Sequence, residues 1–203
     1  MKESGPPTTT RERLRQATGA LHRQLDGTLG LMDETLDHAS YVGILARMHG
    51  FWRTWQPQVS ALLEDDALTV PRQRLALLAT DLSALGLSAA EIEILPVCPQ
   101  LPLRSVNEAL GSLYVLEGAT LGGQLIQRHV YGKLGLDAMS GCAYFTGYGS
   151  RTGEMWRDML VKLENVVTDD IDQVVRGATV TFTSIAWWLD QFGRTQVSCP
   201  EES

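Results

Sequence analysis

Cysteine is scarce in this 203-residue chain. The three present, Cys98, Cys142 and Cys199, are odd in number, widely spaced and free of any CxxC pair, which excludes a disulfide framework and a cysteine-based zinc site. Histidine is equally sparse, at His22, His38, His49 and His129. No HExxH occurs and the paired ExxH motifs of carboxylate di-iron bundles are missing, so zinc-protease and dinuclear-metal readings fall away. Serine or cysteine nucleophile signatures, GxxxxGK[ST] and GxGxxG are also lacking, which leaves hydrolase and nucleotide-binding readings without support. Basic residues never gather into a stripe, and 17 Lys and Arg against 24 Asp and Glu give a net charge of −7. That balance argues against nucleic acid and anionic membrane surfaces as partners. No apolar run approaches the ~20 residues a membrane crossing needs. The opening MKESGPPTTT is polar with no apolar h-region, so it is not read as a signal peptide and the expected location is the cytoplasm. A small molecule is the partner class left standing.

What the chain does have is helical periodicity almost from end to end. No alternating stretch of strand length, internal repeat or low-complexity segment interrupts it. The reading is an all-α, single-domain multi-helix bundle over residues 10–194, with a flexible N-terminal segment at 1–9 and a flexible tail at 195–203. The first helix follows capping threonines, carries Leu14, Ala17, Leu21 and Leu25 on one stripe and ends near Gly27 or Gly30. A second begins at Ser40 and is expected to kink or break at Pro57. A third opens with Pro71 in its first turn and stops before Gly86, and a short turn of helix follows in SAAEIEIL. A helix from about Ser105 to Tyr131 comes next, then one from the GYGSRTGEMW region. The last has Asp169 and Asp170 in its first turn and Gly193 past its end. The five tryptophans, Trp52, Trp55, Trp156, Trp187 and Trp188, fall in helical registers and read as core or interface.

The helix from Ser105 poses the functional question. Its stretch LEGATLGGQ holds Gly118, Gly122 and Gly123, each costing roughly 1 kcal/mol of helix propensity relative to alanine. Gly111, Gly118 and Gly122 share one face and strip it of side chains. Two readings stand side by side: a neighbouring helix crosses closely over the bare stripe, or a flat ligand lies on exposed backbone. Spacing alone favours the first. His22 lies at the edge of the apolar stripe of the first helix, where a histidine is more often a packing residue than a ligand. Together, however, a bare helical face and an inward histidine are what a haem held between two helices requires, with one axial position filled and the other open.

The run ALGSLYVLEGATLGGQLIQRHV, with ATGALHRQLD some ninety residues earlier and TFTSIAWWLDQFG at the end, resembles bacterial haem oxygenase, especially the type encoded beside bacterial phytochromes. The resemblance spans nearly the whole chain, and its most specific part is LYVxEGxTLGG. It implies that His22 is the proximal ligand of the haem iron and that Gly118 and Gly122 belong to the distal helix over the haem and O2 pocket. Arg15, two turns before His22, and Arg128 are similar in placement to basic residues the family sets near the haem propionates. Tyr148 is a hydrogen-bond candidate and Phe182 a candidate for the haem edge. The implied activity consumes haem as both substrate and cofactor, with O2 and electrons from an external donor such as a ferredoxin or reductase, and yields biliverdin, CO and free iron. Biliverdin would then be available to a bacteriophytochrome. Animal-type members carry an aspartate directly after the first distal glycine; Ala119 stands there in this chain, which leaves its proton-network residues unassigned. Glu117, rotated by about 100° from Gly118 on the helix, reads as a structural hydrogen-bonding residue. A haem carrier or sensor using the same fold without turnover, and a helical interaction module in which the glycines serve packing alone, are the rival readings.

Overall fold

The computed structural model describes residues 9–166 and 170–191, which form nine α-helices and no strand. The expectations for residues 1–8, Asp169, Gly193 and the tail lie outside the described residues. Helix α1 (Thr10–Leu29) starts at a capping box, with Thr9 accepting from Glu12 N and Glu12 reaching back to the Thr9 backbone. It runs through Gly27 and ends at Gly30, whose φ of 62° is the left-handed conformation a helix C-cap favours. Leu14 and Thr18 are buried and Leu21 and Leu25 half-buried, while Ala17, expected on the inner stripe, is exposed.

Helix α2 (His38–Leu63) is capped by Asp37, which accepts from Ser40 N; Ser40 is thus in the first turn and is not the cap. The helix continues through Pro57, and the expected break does not occur. Its central turns carry Phe51, Trp52 and Trp55 into the middle of the core. After α3 (Asp66–Thr69), Pro71 sits in a 3-10 turn, Val70–Arg72, and helix α4 (Leu75–Ala84) begins only afterwards. The later start has a cause: Arg72 and Arg74 turn inward, and Gln56 Oε1 of α2 accepts from the backbone N–H groups of Arg74 and Leu75 at 3.0 and 3.1 Å. Helix α5 (Ala89–Glu93) has its own capping box from Ser88 and Glu91. Helix α6 (Val106–Leu134) is capped by Ser105 and closed by Gly135 at φ 71°. The short α7 (Ala143–Thr146), α8 (Thr152–Glu164) and α9 (Ile171–Asp190) complete the chain.

Helices α6 and α9 cross with their backbones in contact. A Cβ at Gly111 would lie 1.9 Å from the Val174 carbonyl oxygen, and one at Gly177 would lie 1.9 Å from that of Glu108. Two glycines therefore let the two backbones touch. Behind the crossing, Trp55 donates to Ser112 Oγ at 2.7 Å and the Ser112 and Thr181 hydroxyls are 2.5 Å apart, so the buried polar atoms there are paired. Helix α1 also packs along α9, with Arg13 paired to Asp172, and touches α8. Both α1 and α6 thus stand on α9 as on a common floor.

Candidate haem slot between α1 and α6

Four of the glycines of α6, Gly111, Gly118, Gly122 and Gly123, divide into two kinds. Gly111 serves the α9 crossing, and Gly123 admits the Phe145 carbonyl of α7, whose oxygen would lie 2.5 Å from an added Cβ. Gly118 and Gly122 serve no such backbone contact. At Gly118 a Cβ would meet only the Trp156 indole at 3.7 Å, an ordinary contact, and at Gly122 it would meet nothing within 4 Å. Tyr114, Gly118, Leu121, Gly122 and Leu125 form one helical face. Leu121 and Leu125 are 49% and 61% exposed, so this face is apolar, bare and uncovered. The packing reading of the glycine stripe holds at Gly111, and at Gly118 and Gly122 no neighbouring backbone accounts for the glycine.

On α1, Arg11, Arg15 and His22 are spaced by four and seven residues and share an exposed face. The electrostatics of Tyr114 show where that face points. Burial raises the Tyr114 phenol above its ordinary range, and the nearby Arg11 and Arg15 guanidinium groups partly offset the rise. One end of α1 therefore adjoins Tyr114. At the other end, in the turn after α1, Glu34 pairs with Lys133 and the Asp33 carbonyl lies 3.2 Å from His129 Nε2. Two ties thus bracket the pair of helices, Arg11 and Arg15 with Tyr114, and Asp33 and Glu34 with His129 and Lys133, and make α1 and α6 run in the same direction. His22, seven residues past Arg15, falls by proportion level with the Gly118–Gly122 segment. The result is a slot whose two walls are a histidine face and a glycine face.

Phe182 rises from α9 against the histidine, with ring centroids 5.9 Å apart and planes at 67°, an edge-on contact. Trp156 of α8 borders Gly118 and stacks obliquely on Tyr114 at 5.3 Å. Arg128 is exposed on α6, beyond Leu125 along the helix. Tyr148 stands apart from the histidine wall: its hydroxyl donates to Glu117 Oε1 at 2.7 Å and its ring lies 4.2 Å from the Arg74 guanidinium carbon. Sequence reasoning passed over Tyr114 and Arg11 and read Trp156 only as core or interface. The first two carried a usable signal, since Tyr114 is one turn before Gly118 and Arg11 one turn before Arg15.

The residues present fit a planar, dianionic iron porphyrin. His22 offers a nitrogen ligand, the opposite face is free of side chains at two positions, leucines supply apolar cover, and guanidinium groups with a phenol at one end suit carboxylates. Among the described residues no group of three or more His, Cys, Asp or Glu could hold a separate metal ion, and no helix is long and apolar enough to cross a membrane.

Comparison with known proteins identifies the family. No curated protein sequence matches the chain. Among solved structures, the fold is similar to that of a haem oxygenase from Neisseria meningitidis solved with NO and CO bound, with a TM-score of 0.74 and 22% identity over 97% of this chain and 99% of that one. The family model for heme oxygenase matches residues 8–191, nearly the whole chain. The protein, with its histidine and glycine walls set on α9, belongs to the haem oxygenase family of haem-degrading enzymes.

Proposed function

We propose that this enzyme opens haem to biliverdin, releasing CO and free iron, with O2 and electrons from an external ferredoxin or reductase. The observation that carries the reading is the register of the two walls, which sets His22 level with the bare Gly118–Gly122 segment. In this reading His22 is the proximal ligand, and Phe182 meets its ring edge-on. Arg11, Arg15 and Tyr114 receive the propionates; Arg128 is placed to add charge farther along the rim. Gly118 and Gly122 let the ligand approach the α6 backbone and leave room on that side for a diatomic molecule. Leu121, Leu125 and Trp156 exclude bulk water. Bound haem supplies the iron at which O2 is activated, and the protein confines the oxidation to one side of the ring.

A carrier or sensor that holds haem without turnover is disfavoured by the same face, which presents glycine and leucine where a second axial ligand would stand. His129, the one histidine of α6, is engaged with the Asp33 carbonyl at the far end of the slot. Titration with haemin should give a one-to-one Soret band, and ascorbate in air should convert it to a broad red verdin band. A Soret band that persists under both ascorbate and an enzymatic reducing system would refute turnover. The likeness of the LYVLEGATLGG run to that of phytochrome-associated members is what supports a role in chromophore supply. Adding an apo-bacteriophytochrome to the reaction should yield the far-red absorbing holoprotein.

A further inference from the structure

Arg72, Arg74 and Glu117 form one buried cluster in which, among the described residues, Arg74 Nε and Nη2 have no hydrogen-bond partner and Arg72 Nε and Glu117 Oε2 face only each other, as an ion pair. The three residues are 5%, 4% and 2% exposed. Arg72 is held by the Leu68 and Met155 carbonyls at 2.9 and 3.1 Å, with its Nε 3.3 Å from Glu117 Oε2. Arg74 donates to the Tyr144 carbonyl at 3.1 Å and lies over the Tyr148 ring. Gly147, at φ 53°, makes room for it, since a Cβ there would lie 2.6 Å from Arg74 Nη1. Two guanidinium groups face one carboxylate, which leaves the cluster with a positive charge.

Buried polar atoms are rarely left unpaired, and a polar recess of sufficient size is where internal water is found. A recess with room for about one water lies beside Arg72, lined also by Trp55, Thr69 and Leu113. Glu117 immediately precedes Gly118 and stands one turn before Leu121, so the cluster lies along one flank of the slot. Taking the slot as the haem site, we propose that Arg72, Arg74, Glu117 and Tyr148 form a hydrated cationic cluster that supplies polarity to the distal flank in place of the acid missing at Ala119, with Glu117 the positioning residue that orients both guanidinium groups.

The test is the acid–alkaline transition of the ferric haem complex, followed by its absorption spectrum at low salt. The groups that set the field are Arg72, Arg74 and Tyr148 around Glu117, with Arg11, Arg15 and Tyr114 at the slot end. Glu117→Gln removes a negative charge and should lower the midpoint, whereas Arg74→Met removes a positive one and should raise it, each by about 0.8–1.2 units for a charge acting over roughly 10–15 Å at an effective dielectric near 20. Tyr148→Phe keeps the ring on Arg74 and removes only the donor to Glu117. Burial already raises the Glu117 carboxyl, against the Tyr148 hydrogen bond and the two arginines. Losing that bond favours its neutral form, so this variant should move the midpoint in the Glu117→Gln direction even if Glu117→Gln itself fails to fold. Shifts of opposite sign for the carboxylate and guanidinium variants, with unchanged Soret stoichiometry, support the proposal. Shifts of the same sign, or none, overturn it. A wild-type protein with no specific Soret band would instead refute the haem reading beneath it.

Discussion

Alanine placed at two glycines of α6, Gly111 and Gly122, tests whether the two do different jobs. At Gly111 the new methyl would sit 1.9 Å from the Val174 carbonyl oxygen, where an ordinary contact is about 3.3 Å, so α6 and α9 must part by more than an ångström. Backbone cannot swing aside as a side chain does. Overpacking of this kind costs 1–3 kcal/mol or more, and alanine returns about 1 kcal/mol of helix propensity, so Gly111→Ala should lose about 2 kcal/mol net. Gly122→Ala meets nothing within 4 Å and should gain roughly 0.5–1 kcal/mol in the haem-free protein. With haem present the sign reverses, because the methyl projects into the slot; haemin affinity should fall about tenfold, equivalent to about 1.4 kcal/mol. Urea unfolding of the haem-free variants and haemin titration by Soret absorbance measure the two quantities independently. A Gly122→Ala protein that is no more stable than wild type, or that binds haemin and turns over unchanged, would refute the division of labour along α6.

Further predictions concern single positions. His22→Ala should keep its helical circular dichroism and lose the histidine-ligated Soret spectrum and turnover; an unchanged turnover rate removes the proximal-ligand assignment. Arg11→Ala and Arg15→Ala should each weaken haemin binding by about fivefold, near 1 kcal/mol for an exposed charge, and the loss should shrink in high salt. His49 is buried, and desolvation with the Arg53 charge beside it lowers its pKa, against a smaller pull from Glu93. The unfolded chain therefore takes up a proton before the folded one, and stability falls as pH drops below about 6.5. His49→Gln should flatten that part of the urea-midpoint profile, and an unaltered slope would show that another group carries it.

The helical class was legible because the caps are written locally. Thr9 with Glu12, Ser88 with Glu91 and Ser105 before α6 each announce a helix start within four residues. His22, Gly118 and Gly122 were legible as a pair of faces, although spacing could not say which glycine meets a neighbouring backbone and which does not. That distinction depends on what lies opposite, and Val174, Phe145 and Trp156 are far away in the chain. The buried arginines were illegible for a different reason. Arg72 and Arg74 stand in a polar stretch, PRQR, that reads as surface, and only tertiary structure brings carbonyls, a carboxylate and an aromatic ring around them. Tyr148 was picked as a hydrogen-bonding residue from its loop, but its partner Glu117 emerged only once that loop was folded back on α6.

The glycine crossing of α6 and α9 also acts as a fulcrum. From Gly111 to Gly122 is about 16 Å along the helix axis at 1.5 Å per residue. A tilt of about 5° about the crossing would therefore widen the far part of the slot by about 1.4 Å, nearly half the thickness of an aromatic ring. A ring that loses its planarity on opening needs clearance of that order to leave. The stiffness of the backbone contacts at Gly111 and at Gly123, as well as the residues lining the slot, then bears on how bulky a molecule can pass.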